Sequence, residues 1–159
     1  MNIETIGIVH SPFKKPQGTP IQPTAAKDIK GTIEIKEQFA EGLDDLDGFS
    51  HIVVIFAFHL SKNYELKVKP FMDENLRGVF ATRAPKRPTQ IGLSIVTLEK
   101  IHGSTLYISG VDMIDGTPVL DIKPYLPMLN PDGDIKVGWL ENISQHFQHK
   151  KADDRMHDI

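Results

Sequence analysis

Arg83-Ala84-Pro85-Lys86-Arg87-Pro88 sets three cations around two prolines, with Arg77 just upstream and no acidic residue between Glu74 and Glu99. Proline fixes its own φ, so Pro85 and Pro88 pre-set the arrangement of Arg83 and Arg87. A planar guanidinium suits bidentate capture of a carboxylate or phosphate. The second chemically loaded stretch is GVDMIDGTPVLDIKPYLP, residues 110–127, where Asp112, Asp115 and Asp121 crowd an otherwise apolar run. Asp115-Gly116-Thr117-Pro118 reads as a turn in which Gly116 takes a positive φ. Carboxylates there can hold ribose hydroxyls or an amino group. On residue chemistry alone two plainer readings stay open: a solvated basic hairpin loop, and aspartates that only cap turns.

Other chemistries are excluded. The chain has no cysteine, which removes disulfides, thiolate nucleophiles and Cys-zinc sites together. None of its 12 glycines has another two positions on, and none precedes a lysine, so neither a dinucleotide fingerprint nor a P-loop is present. His146 and His149 are helical neighbours without a third ligand, so no metal site is expected.

These residues need a scaffold of strands. The chain has 159 residues, of which 25% are charged, and a net charge of -3. That is one domain with a real core, and no general polyanion binder. Residues 3–11, 31–35, 51–59, 92–101 and 104–113 are rich in β-branched or alternating residues, with 136–140 a weak last strand. The run 51–59 is continuous enough to suggest a strand buried on both faces. His102-Gly103 marks a hairpin. Residues 37–49 suggest a turn or two of helix. Long helices do not alternate with these strands, which argues against a doubly wound sheet and for a small antiparallel β-barrel, an all-β fold. Residues 13–30, with three prolines, form a long N-terminal loop. The expected organisation is a barrel domain over 1–140 and a short C-terminal helix and tail over 141–159. The apolar run 52–58 is too short to cross a bilayer, and no export signal precedes the first strand, so a cytoplasmic protein is expected.

Four blocks, IGIVHSPF, GFSHIVVIFAFH, FATRAPKRPTQIGLS and GVDMIDGTPVLDIKPYLP, occur in this order across residues 3–127. They resemble the signature blocks of the TsaA-like family (TrmO, formerly YaeB). The resemblance implies an S-adenosylmethionine-dependent methyltransferase on a β-barrel, acting as a homodimer on N6 of threonylcarbamoyladenosine beside the tRNA anticodon. By position it implies a cofactor site built from Pro23, Thr24 and Ala25 of the long loop, His59 and Leu60, Arg83, Leu93, and Asp115, Gly116, Thr117 and Pro118 of the turn. Lys86 and Arg87 are then expected to face RNA, and Asp121 or Tyr125 to serve as the catalytic hydrogen-bond acceptor. Ala84 and Thr89-Gln90 depart from the family's usual Ser and Asn-Pro, and larger members carry a further C-terminal domain. The alternative reading is a non-catalytic S-adenosylmethionine-binding sensor or RNA-binding module.

Overall fold

Among the described residues the chain folds into eight strands: β1 (Gly7–His10), β2 (Lys30–Ile35), β3 (His51–Ala57), β4 (Lys67–Val68), β5 (Arg77–Gly78), β6 (Ile91–His102), β7 (Thr105–Ser109) and β8 (Pro118–Pro124). The structure is a computed structural model and describes residues 2–20, 26–71 and 73–141. Six strands close into an antiparallel barrel in the order β1-β2-β7-β6-β3-β8, and β8 pairs back onto β1. The all-β barrel expected from the strand pattern is therefore the observed fold. β4 and β5 form a separate two-stranded ribbon that the sequence pattern does not signal.

Period-2 alternation fills the barrel. Val9, Ile33, Ile52, Val54, Leu106 and Val119 are at or below 1% exposure and pack together inside. Each such side chain contributes about 1.5–3 kcal/mol by leaving water. β3 corrects the expectation of a strand buried on both faces. Ile52, Val54 and Phe56 point inward and are buried, whereas Val53 and Ile55 alternate with them and stay partly exposed on the outside. A barrel this small has one interior face per strand, so half of a wholly apolar strand must face out.

The β6–β7 hairpin turns on Gly103-Ser104, one residue later than expected, with Gly103 at φ 58 and His102 opposite Thr105. Residues 37–48 form 3-10 turns. The expected last strand is instead a 3-10 turn at Gly138–Leu140. The expected C-terminal helix and tail over 141–159 lie, apart from Glu141, outside the described residues.

Antiparallel closure sorts the connections between two rims. At one rim β1 and β7 end, β2 begins, β3 ends, and β6 and β8 begin. The registers Lys30↔Ser109, His10↔Thr32, Ala57↔Ile91 and Phe56↔Val119 fix this arrangement. The long loop, the basic loop and the acidic turn therefore share that rim.

Candidate functional site

The acidic turn is tied to the start of the long loop. The Ser11 N–H donates to Asp115 Oδ1 at 3.0 Å, and Lys14 Nζ to Oδ2 at 2.6 Å. Ser11 Oγ donates to Met113 O at 2.7 Å, and the Asp115 N–H to Phe13 O at 2.8 Å. Gly116 takes φ 80, as the turn reading required, and its N–H reaches Val9 O at 2.8 Å. The hydrogen bond from Lys14, then that from Ser11, holds the Asp115 carboxyl below the usual carboxylate range, so it is ionised at neutral pH. An open cavity of about 460 Å³ lies beside it, lined by His10, Lys14, Lys30, Tyr107 and Asp115 among others.

The basic loop finds partners that its local sequence does not show. Lys86 Nζ donates to Glu65 Oε1 at 2.9 Å. Arg87 Nη1 donates to three main-chain carbonyls, Thr82 at 2.9 Å and Val79 and Ala84 at 3.3 Å. Arg77 Nε donates to Asp73 Oδ2 at 2.7 Å, and its guanidinium lies 5.4 Å from the Trp139 ring centroid. Trp139 Nε1 in turn donates to Ala81 O at 2.8 Å. Lys86 and Arg87, expected to face RNA, thus each hold a partner within the protein, and Arg87 braces the loop from within. Arg83 differs. It is exposed, and its Nη2 reaches Leu93 O at 2.5 Å, across to β6.

Asp112 lies between these two elements. Its Oδ1 accepts a 2.6 Å hydrogen bond from Ser94 Oγ of β6. Withdrawal of the carboxyl from water pushes its pKa up to about 7. The bonds from Ser94 and its own N–H, and the charge of Arg83, oppose that rise only in part. The sequence marked Asp112 as one of three crowded aspartates but assigned it no role; its signal was a lone acid between buried Val111 and Met113.

His59 and Leu60 follow β3 on the same rim, beside Gln90, whose carbonyl accepts the Phe58 N–H at 2.9 Å. Loss of water around the His59 ring sets its pKa below the ordinary value. Leu60 and Leu93 are 37% and 44% exposed, apolar surface at the edge of the rim. Thr117 is buried and Pro118 opens β8. The structure thus gathers His59, Leu60, Arg83, Leu93 and Asp115–Pro118 at one end. Pro23, Thr24 and Ala25 lie outside the described residues.

Asp121 and Tyr125 do not join them. The Tyr125 N–H bonds His51 O at the opposite rim, and the seven residues of β8 put it roughly 20 Å from Pro118. Asp121 sits midway along β8, paired in register with Ile55 and bonded by Lys123 Nζ at 2.7 Å. One or the other was expected to serve as the catalytic hydrogen-bond acceptor; within one chain, β8 carries both away from the rim that holds the turn.

The chain is thus a closed six-stranded antiparallel barrel with its polar turns collected on one rim. The profile of the tRNA-methyltransferase O N-terminal domain matches residues 8–130, and the chain belongs to that family. It is 52% identical over 149 residues to a Pyrococcus abyssi protein described as a probable S-adenosyl-L-methionine-binding protein, covering 94% of this chain and 80% of that one. It is 41% identical over 155 residues to a mouse tRNA (adenine(37)-N6)-methyltransferase, covering 93% of this chain and 34% of the mouse protein. The crystal structure of TrmO from Pseudomonas aeruginosa superposes with a TM-score of 0.73 at 38% identity, over 87% of this chain and 62% of that one. The chain therefore spans about a third of the mouse protein and under two thirds of the Pseudomonas chain.

Proposed function

We propose that the chain is an S-adenosylmethionine-dependent methyltransferase that modifies N6 of adenosine in tRNA, in the form of threonylcarbamoyladenosine beside the anticodon. The observation that carries this reading is the convergence of His59, Leu60, Arg83, Leu93 and Asp115–Pro118 on one rim from three separate stretches of sequence. The names of the mouse and Pyrococcus relatives support it.

The donor set suits such a cofactor. Asp115 offers a partly exposed carboxylate, and the Gly116 turn presents backbone without a side chain. Leu60 and Leu93 offer apolar surface for a purine, and Arg83 a cation for a carboxylate. When bound, the cofactor supplies a methyl group on a sulfonium centre. The rim's part is to hold the acceptor nitrogen in line with that methyl and to exclude water. RNA is proposed to approach across the cavity of His10, Lys14, Lys30 and Tyr107, in the cytoplasm. No helix among the described residues is long and apolar enough to cross a membrane.

We further propose a homodimer formed through the outer face of β3 and β6. There Val53 pairs with Ile95 and Ile55 with Leu93, four apolar side chains adjoining the rim. Asp121 pairs with Ile55 at the edge of that face, which is how it would approach a partner's rim.

The test is mass spectrometry of tRNA nucleosides after incubation with the protein and methyl-labelled S-adenosylmethionine. A labelled N6-methyl adenosine derivative is expected. Cofactor binding without any transfer would support instead the non-catalytic binding protein, which the description of the Pyrococcus relative favours.

A further inference from the structure

We infer that Asp112 accepts the proton released when the adenosine nitrogen is methylated. The inference rests on the methyltransferase reading above and names the acid that serves it. Of the three aspartates between residues 110 and 121, Asp115 is bonded by Lys14 and Asp121 by Lys123. Among the described residues Asp112 has only the hydroxyl of buried Ser94 and its own N–H. Among the described residues the charged group acting on it is Arg83, whose guanidinium is itself bonded to Leu93 O.

An acid largely withdrawn from water, with no cation bonded to it among the described residues, destabilises the fold. Asparagine would accept the same Ser94 hydrogen bond without that penalty, so packing alone gives no reason for an acid here. Unpaired, desolvated carboxyls cluster where proton transfer is needed. Asp112 also stands between the two elements of the proposed cofactor site, Arg83–Leu93 and Asp115–Pro118. Its titration near neutrality suits an acceptor that must be ionised at working pH and still basic enough to take a proton.

The chemistry balances with one such base. The adenosine nitrogen carries a hydrogen and is a weak nucleophile, its lone pair drawn toward the purine and the adjoining carbonyl. Its lone pair forms the new bond to the methyl carbon, while the carbon–sulfur bond breaks and leaves its electron pair on sulfur. The nitrogen gives up its proton to the Asp112 carboxylate, which returns it to water afterwards.

The test uses Asp112→Asn and Ser94→Ala in the full chain. Asp112→Asn should lower the methylation rate roughly 100- to 10,000-fold while leaving S-adenosylmethionine affinity by calorimetry and tRNA affinity by filter binding unchanged. In the free wild-type protein the ¹³C-carboxyl resonance of Asp112 should titrate near neutrality, and the methylation rate should rise with pH through the same inflection. Ser94→Ala keeps the acid but removes its hydrogen bond, so both inflections should move to higher pH together. Full activity in Asp112→Asn would overturn the proposal. So would a carboxyl titrating in the ordinary range, or a defect confined to cofactor affinity. A wild-type protein that binds the cofactor but methylates nothing would remove the enzymatic reading and this proposal with it, whatever the carboxyl titration shows.

Discussion

Gly92 of β6 is paired in register with Phe56 of β3, and a methyl group on its Cα would sit 2.4 Å from two carbons of the Phe56 ring. The ring is buried at 7% exposure and packs edge-on against Phe58 at 5.3 Å between centroids. It occupies the space where any other residue would carry Cβ.

Gly92→Ala should therefore destabilise the barrel by about 1–3 kcal/mol, the usual penalty for overpacking a filled core. Urea unfolding is the measurement. Phe56→Leu in the same chain should recover part of the loss, and a double-mutant cycle should show coupling between the two positions. Additive effects would mean that the ring is not what confines residue 92.

The basic loop gives a second contrast. Arg87→Ala removes the donor shared by three carbonyls and should cost about 1–3 kcal/mol of stability. Arg83→Ala removes an exposed side chain and should change stability by under about 0.5 kcal/mol. If Arg83 contacts the cofactor, its loss should raise the S-adenosylmethionine Kd roughly 10- to 100-fold. Calorimetry and thermal unfolding on both variants separate these roles. Equal losses of cofactor affinity would show that the loop acts as one unit.

Asp112 sets a third expectation. Its folded pKa of about 7 lies above the ordinary 3.8, so the folded state binds its proton more tightly than the unfolded state does. Its contribution is favourable at low pH and is lost as pH rises through about 7. Stability should fall from pH 5 to pH 8, by about 2–4 kcal/mol from this group. Asp112→Asn should flatten that fall and leave the variant more stable than wild type at pH 8. A pH profile by chemical unfolding decides the matter. Identical slopes in the two proteins would mean that Asp112 is not withdrawn from water.

The fold was legible where a strand has one buried face. Alternation at Lys30–Ile35 and the turn glycines gave β2 and the acidic turn almost as observed. It was less legible at β3, where Val53 and Ile55 are as apolar as their buried neighbours and composition cannot tell inside from outside. Trp139 was hidden for another reason. Its pull toward Ala81 O spans 58 residues, and that contact overrides the weak strand preference around it. The basic loop looked unneutralised because its acids, Glu65 and Asp73, lie outside the window that reads as acid-free. Asp112 was visible only as an aspartate among apolar residues; that no cation bonds it among the described residues is a property of three dimensions.

The outward apolar pairs on β3 and β6 make the dimer testable. Ile55→Glu places a charge opposite Leu93 on the face proposed for association. Light scattering should report a dimer for wild type and a monomer for Ile55→Glu, with circular dichroism unchanged because residue 55 points away from the core. A variant that stays dimeric would move the contact to another face.

Barrel closure depends on its shortest pairing. β1 meets β8 at Gly7↔Val119 and Ile8↔Pro118, supplemented by bonds from Ile6 N to Val119 O at 2.8 Å and from Val9 N to Thr117 O at 2.9 Å. This seam is expected to open before the longer pairings, and each opening would bare two unpaired strand edges to neighbouring molecules. The Asp115–Pro118 turn sits at the head of the seam, so a ligand seated there acts as a clasp. Hydrogen–deuterium exchange at the amides of Ile6, Val9 and Gly116 should then slow with bound cofactor, more than exchange along β3. With a cofactor seated at the clasp, aggregation on storage should be slower than in the empty protein, as light scattering over time would report.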